Sequence, residues 1–210
     1  MISEDLAESI KAGAECLPQD LPPGAAEKLA HLLAELRRWN RRINLTAITS
    51  PAAMVSGHVL DSLSIRAFLE GRRVIDVGTG AGFPGLPLAI AEPDIEFELL
   101  DSNGKKISFV RHAIGEIGVP NATAIKARVE DYAPGKRFDT VIARALASVA
   151  RLVELAGHLV VEDGVMLVHK GRYPADELQD IADAWEYSVN ELAVPGLDAR
   201  HVVALRRRNT

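Results

Sequence analysis

The chain of 210 residues contains a single cysteine, Cys16, so a disulfide framework is excluded. Such sparse cysteine usage suits a reducing compartment. No apolar run approaches the roughly 20 residues that a membrane-spanning helix requires. The opening Met1-Ile2-Ser3-Glu4-Asp5 is acidic and reads as no secretory signal. No spacing of His, Cys, Asp or Glu suits a metal site, and no catalytic dyad or reactive thiol stands out. With 48% of residues apolar, disorder is excluded as well. A soluble, cytoplasmic domain with a modest extension is therefore expected, at roughly 100–200 residues per domain.

An excess of positive charge is also missing, since the net charge is −5. Its distribution is uneven. Residues 1–36 hold seven acids against two bases, and the remainder holds 22 of each. Within that balanced part, bases cluster at Arg37-Arg38 with Arg41-Arg42, at Arg72-Arg73, at Lys105-Lys106 and at Arg206-Arg207-Arg208. They form a phosphate-facing side if the fold brings them together, and solvated surface if it does not. The C-terminal trio is expected to serve RNA.

What is present is a pattern of alternating elements. Residues 1–24 read as irregular and end in the break Pro22-Pro23-Gly24. From Ala25, the positions Leu29, Leu32, Leu33, Leu36 and Trp39 mark one helical face. Ser50-Pro51 reads as an N-cap with proline in the first turn, and an apolar-periodic stretch from Val59 to Leu69 ends at Gly71. Residues 1–70 are thus expected to be a helical extension, and 71–210 the core, within one compact unit. The core pattern predicts strands at 73–77, 95–100, 122–127, 138–143, 165–168, 187–194 and 201–205. Helices are predicted from Pro84 to Ala91, through Ile107–Ile117, up to Leu155 and around Asp176–Asp183. Such alternation implies a mainly parallel sheet with helices on both faces. The turn Pro195-Gly196-Leu197-Asp198 implies an antiparallel finish.

The most informative stretch is Asp76-Val77-Gly78-Thr79-Gly80-Ala81-Gly82-Phe83-Pro84-Gly85, which joins the first strand to its helix. Ligands of open α/β sheets bind at such carboxyl ends. Gly80-Ala81-Gly82-Phe83-Pro84-Gly85 formally matches the dinucleotide fingerprint G-x-G-x-x-G. Pro84, however, falls where that fingerprint needs a helix N-terminus offering N–H groups to pyrophosphate. The spacing of Asp76, Gly78, Gly80 and Gly82 instead resembles the first motif of class I S-adenosylmethionine methyltransferases. That cofactor carries an ammonium group, which a carboxylate near the loop suits. Asp101, at the end of the second strand, is placed to bind ribose hydroxyls of either cofactor.

Several pieces then occur in order: Asn44-Leu45-Thr46, His58-Val59-Leu60-Asp61-Ser62, the glycine loop, Leu99-Leu100-Asp101-Ser102, Arg128-Val129-Glu130, Arg144-Ala145, Lys170-Gly171 and Arg200-His201. Together they resemble the RsmG (GidB) family of bacterial methyltransferases acting on N7 of a guanine in 16S ribosomal RNA. The resemblance spans roughly Arg37 to Arg207. It implies a class I, Rossmann-like methyltransferase sheet of seven strands and an S-adenosylmethionine cofactor. It also implies 16S ribosomal RNA or a small-subunit precursor as substrate. Asp76, Gly78, Gly80, Gly82 and Phe83 would surround the cofactor, Asp101 and Ser102 would meet its ribose, and Val129 and Glu130 would flank its adenine. Arg144 would stand at the active site, as a cofactor contact and as the catalytic residue. One departure is Gly57, where the family often has Arg before the histidine. A monomer without metal or membrane attachment is expected. The alternatives are an NAD-type oxidoreductase and a non-catalytic RNA-binding protein with a nucleoside pocket.

Overall fold

A computed structural model describes residues 2–144 and 147–208. Ala145, the second member of the Arg144-Ala145 pair, lies outside the described residues. A single seven-stranded sheet is formed by β1 (Arg73–Val77), β2 (Glu96–Asp101), β3 (Ala122–Lys126), β4 (Phe138–Arg144), β5 (Val160–Lys170), β6 (Trp185–Leu192) and β7 (Arg200–Arg207). Their order is β3-β2-β1-β4-β5-β7-β6. The strands β1 to β5 pair in parallel, and β7 runs antiparallel to both β5 and β6. The expected mainly parallel sheet is therefore present, with the last strand inserted rather than added at the edge.

Strand alternation builds a core on each face. Val74, Leu99, Ile142 and Leu167 point into one apolar cluster, while Ile75, Leu100, Val141 and Met166 point into the other. Burial on both faces explains why the central strands carry near-continuous apolar runs. The first face is covered by α2 (Ala25–Asn40), α5 (Gly85–Ala91) and α6 (Gly104–Ile117), and the second by α7 (Val149–Ala156).

Two expected elements are corrected. Residues 1–24 are not irregular, because Ile2–Ala14 form helix α1. Leu6, Ile10 and Ala14, four apart, pack against α2 and the 55–60 turn. Gly13 suits that contact, since a Cβ there would meet Leu60 at 2.4 Å. The acidic segment around Asp176–Asp183 holds only a short 3₁₀ turn, Ala175–Glu177. Leu178 is its one buried apolar side chain, too little to anchor a helix. Between these, Ser50 does cap α3 (Pro51–Met54), accepting from the Ala53 N–H. The chain continues as a π-helical turn, Val55–Leu60, into α4 (Asp61–Leu63).

α2 and α6 run antiparallel. Lys28 near the start of α2 donates to the Gly118 carbonyl at the end of α6, whereas Trp39 meets Phe109 edge-on at 5.7 Å. The end of α2 therefore rises toward the start of α6, beside the carboxyl ends of the parallel strands.

Candidate active site

The glycine loop leaves β1 between β2 and β4, where the chain diverges to the two sides of the sheet. Three of its residues have positive φ: Gly78 (71°), Gly80 (61°) and Gly82 (88°). At Gly82 a side chain would also strike Leu86 at 2.5 Å, so glycine is required twice over. The loop folds back on its own chain. The Gly78 and Thr79 N–H groups donate to the Leu100 carbonyl, those of Gly82 and Phe83 to the Thr79 carbonyl, and that of Leu86 to the Gly82 carbonyl. The Phe83–Pro84 peptide is cis.

Two carboxylates hold this loop from opposite sides. Asp76 is fully buried beneath it, and its Oδ2 accepts from the Thr79 hydroxyl at 2.6 Å and the Gly85 N–H at 2.9 Å. Its Oδ1 is buried without a partner. Burial pushes its pKa up to about 6, although those two donors pull the other way. Asp101 accepts from the Gly80 N–H at 2.9 Å and the Asn103 N–H at 2.7 Å, and remains partly exposed.

Five of the residues named from the sequence converge on one cavity of about 280 Å³: Gly78, Asp101, Ser102, Val129 and Glu130. Leu100, Ala127 and Leu155 give it an apolar wall. Arg128 and Arg151 complete its rim; Arg151 and Leu155 belong to α7, which begins 64 residues beyond Gly85, so no local spacing ties them to the loop. Val129 is buried, while the Glu130 carboxylate is exposed and bonded by Arg128 at 2.9 Å. An apolar slot with an acid at its mouth has the chemistry to take a nucleoside: a flat base against the wall and hydroxyls toward the carboxylate.

Asp76, Gly80, Gly82, Phe83 and Arg144 lie outside that cavity's lining, and the buried Asp76 meets the loop rather than the cavity. Phe83 is buried and stacks on His58 at 4.7 Å, and the Arg144 guanidinium lies 5.9 Å from its ring centre. Arg144 donates to Asp61 Oδ2 at 2.9 Å and more weakly to the Gly57 carbonyl at 3.4 Å. Asp61 is buried and also accepts from Arg200 Nε at 3.2 Å, with His169 Nε2 at 3.4 Å. His58 and Asp61 thus do not pair with each other. His58 Nε2 meets the Thr46 hydroxyl at 2.8 Å, and Thr46 is held in turn by Asn40. Burial, then the Arg144 charge, holds the His58 pKa down at about 4; burial does the same to His169, also to about 4. The Asp61 hub joins residues 83 and 139 positions apart, which no local spacing reveals. Its only trace in the sequence was the ordered set of short pieces.

The basic clusters do not share one side. β7 is antiparallel, so Arg200 and His201 sit beside Lys170, at the carboxyl ends of the parallel strands, and Arg206–Arg208 sit at the opposite edge. There Arg206 is bonded to Glu70, and Arg207 donates to the Gly157 carbonyl and covers Trp185 at 4.8 Å. Arg73 at the same edge donates to the Arg137 carbonyl and covers Phe138. The C-terminal trio is therefore remote from the glycine loop, and two of its three side chains are internally engaged, against the expectation that it serves RNA. Lys170 is engaged too, with Glu177 at 2.6 Å.

The chain also resembles known proteins along most of its length. Residues 25–203 match the family model for rRNA small subunit methyltransferase G, GidB. The chain is 46% identical over 209 residues to the ribosomal RNA small subunit methyltransferase G of Nitrosococcus oceani, covering 99% of this chain and 96% of that one. It is 44% identical over 206 residues to the protein of that name from Idiomarina loihiensis, covering 97% and 100%. Among solved structures, a SAM dependent methyltransferase from Aquifex aeolicus superposes with a TM-score of 0.55 at 16% identity, over 73% of this chain and 92% of that one, which supports the fold alone. With a matched segment that runs from α2 into the last strand, the chain belongs to the rRNA small subunit methyltransferase G (GidB) family.

Proposed function

We propose that the protein transfers a methyl group from S-adenosylmethionine to N7 of a guanine in 16S ribosomal RNA. One observation carries the choice of cofactor class. Ala81 apart, the loop's N–H groups from residue 78 to 86 are donated within the chain, and Pro84 has none. A pyrophosphate needs free N–H groups at that place. A cofactor without phosphate does not, which favours S-adenosylmethionine over NAD. The apolar slot beside Asp101 fits its adenosine. The family membership supports ribosomal RNA as substrate.

When bound, S-adenosylmethionine supplies a methyl group on a sulfonium sulfur. Asp101 and Ser102 take the ribose, and Val129 and Glu130 border the adenine. Asp76 carries the loop from below, with Gly78, Gly80, Gly82 and Phe83 above it. N7 of guanine has its own lone pair and no proton, so no general base is needed. The residues contribute by alignment, which can supply roughly 7–11 kcal/mol when reacting atoms are held near attack distance. Arg144, oriented by Asp61, has the planar fork of donors to position a carboxylate or a guanine edge. The same reading takes residues 1–70 as a helical extension sharing one core with 71–210, in a cytoplasmic monomer. The test is transfer of labelled methyl from S-adenosylmethionine to 16S ribosomal RNA, with mass spectrometry of the product nucleosides. Appearance of 7-methylguanosine is expected. Absence of transfer, or binding of NAD in place of S-adenosylmethionine, would overturn the reading.

A further inference from the structure

A groove of about 510 Å³ runs along the end of α2, between Arg37, Arg38, Asn40 and Arg41 on one wall and Ile48, Thr49 and Met54 on the other. A second hollow of about 310 Å³, lined by Arg38, Trp39, Arg42 and Ile43, lies beside it. Among the described residues no carboxylate lines either one. Arg38 is bonded to Glu35 and lies against His112. Arg37, Arg41 and Arg42 are exposed and have no acidic partner within reach among the described residues. Favourable interaction with the carbonyl end of α2 accounts for a base or two in its last turn. It does not account for Arg41 and Arg42, which lie past that turn, or for a walled, acid-free hollow.

The position matters as much as the charge. The antiparallel packing of α2 on α6 raises these arginines to the edge where the parallel strands end. Lys105 and Lys106 open α6 at that edge, with Lys106 Nζ 3.9 Å from where a Gly80 Cβ would stand. The groove wall is also coupled to the site: Asn40 holds Thr46, Thr46 holds His58, and His58 stacks on Phe83. By contrast, Arg206, Arg207 and Arg73 at the opposite edge are engaged with Glu70, Gly157 and Phe138 respectively. An unpaired, exposed row of guanidinium groups beside a methyl-transfer site suits a polyanion whose phosphates it can fork.

We propose that this groove, carrying Arg37, Arg41 and Arg42, is the docking surface for the phosphate backbone of the ribosomal RNA substrate. The proposal rests on the reading that the chain methylates ribosomal RNA. The experiment measures binding of in-vitro-transcribed 16S RNA across a salt series, with calorimetry of S-adenosylmethionine alongside. Replacing Arg37, Arg41 and Arg42 together by Gln should flatten the log–log salt dependence by about 2–3, since each lost phosphate contact removes about 0.7–0.9. RNA affinity should fall at least about tenfold at low salt, with S-adenosylmethionine affinity unchanged. Arg208→Gln, exposed at the opposite edge, should leave both unchanged. Replacing the three arginines by Lys should keep the slope. A Gln triple variant with the wild-type slope would overturn the proposal. So would a Lys triple variant that loses RNA equally, which would mark a structural role. A Gln variant that binds bare RNA normally yet fails on assembled subunits would mean a protein partner, and the proposal would fall. Failure of the wild type to bind S-adenosylmethionine would instead overturn the methyl-transfer reading, whatever the slope.

Discussion

Asp76 and Asp101 lie on neighbouring strands beside the glycine loop, and burial separates their roles. Asp76 supports the loop from inside, whereas Asp101 reaches both the loop and the cavity. Asp101→Ala should weaken S-adenosylmethionine binding by about 1–3 kcal/mol, because ribose hydroxyls lose a charged acceptor. It should also lower stability by about 1 kcal/mol, since the Gly80 and Asn103 N–H groups lose theirs. Calorimetry giving unchanged affinity would remove Asp101 from the ribose role. Arg144→Ala should slow single-turnover methyl transfer by about 100-fold or more while the fold persists, as expected for loss of positioning. A mere ion-pair partner of Asp61 would instead show its loss in urea midpoints with the rate intact. Asp101 was readable in the sequence from its distance to the loop. Asp61 was not, because an acid at i+3 from a histidine on a helix predicts only a local pair. Arg144 and Arg200 reach it from β4 and β7.

At the scale of elements, two glycines on helices should respond oppositely to alanine. A Cβ on Gly85 would meet Leu99 at 2.1 Å and Asp76 Oδ2 at 2.8 Å. Gly85→Ala should cost about 1–3 kcal/mol through overpacking and disturb the loop. Gly115, exposed within α6, has nothing within 4 Å of the same position. Gly115→Ala should add about 0.5–1 kcal/mol. Thermal unfolding of the two variants checks both signs, and a destabilised Gly115→Ala would break the argument. The strands β1, β2, β3 and β4 were legible to within a residue or so: burial on both faces writes apolar runs into β1 and β4, and the edge strand β3 alternates instead. Helix α1 was not. Among the described residues its apolar face is Leu6, Ala7, Ile10 and Ala14, and it stands on packing against α2, which local pattern does not contain. The π-helical turn that aims His58 at Phe83 likewise has no periodicity of its own.

For the whole molecule, buried titratable groups set the acid response. His58 and His169 are held near 4 in the folded protein, below the ordinary histidine value of 6.5. Their contribution is present above about pH 6.5 and is lost as pH falls through about 4. Asp76, raised to about 6, acts in the opposite sense: its contribution is present below about pH 4 and is lost as pH rises through 6. Two histidines oppose one aspartate, so stability should fall between pH 6.5 and 4. Asp76→Asn should steepen that fall. Urea midpoints across this window test both statements, and a flat profile in either protein would refute them. The chemical step should behave differently and stay nearly constant from about pH 6.5 to 8.5, since N7 carries no proton to remove. A single-turnover rate climbing tenfold per pH unit would reveal an essential base and defeat the N7 assignment.

The insertion of β7 between β5 and β6 has a consequence for synthesis. The strand β6 is made before β7 but borders the sheet only through it. While the chain emerges from the ribosome, residues 185–192 therefore have no neighbour to join, and β5 keeps an open edge. Both are completed in one step when residues 200–207 arrive, and the same step delivers Arg200 to Asp61. A nascent chain halted before residue 200 would thus expose two unpaired strand edges and leave the Asp61 hub incomplete. Protease sensitivity of stalled chains of increasing length should drop sharply only once β7 has cleared the exit tunnel.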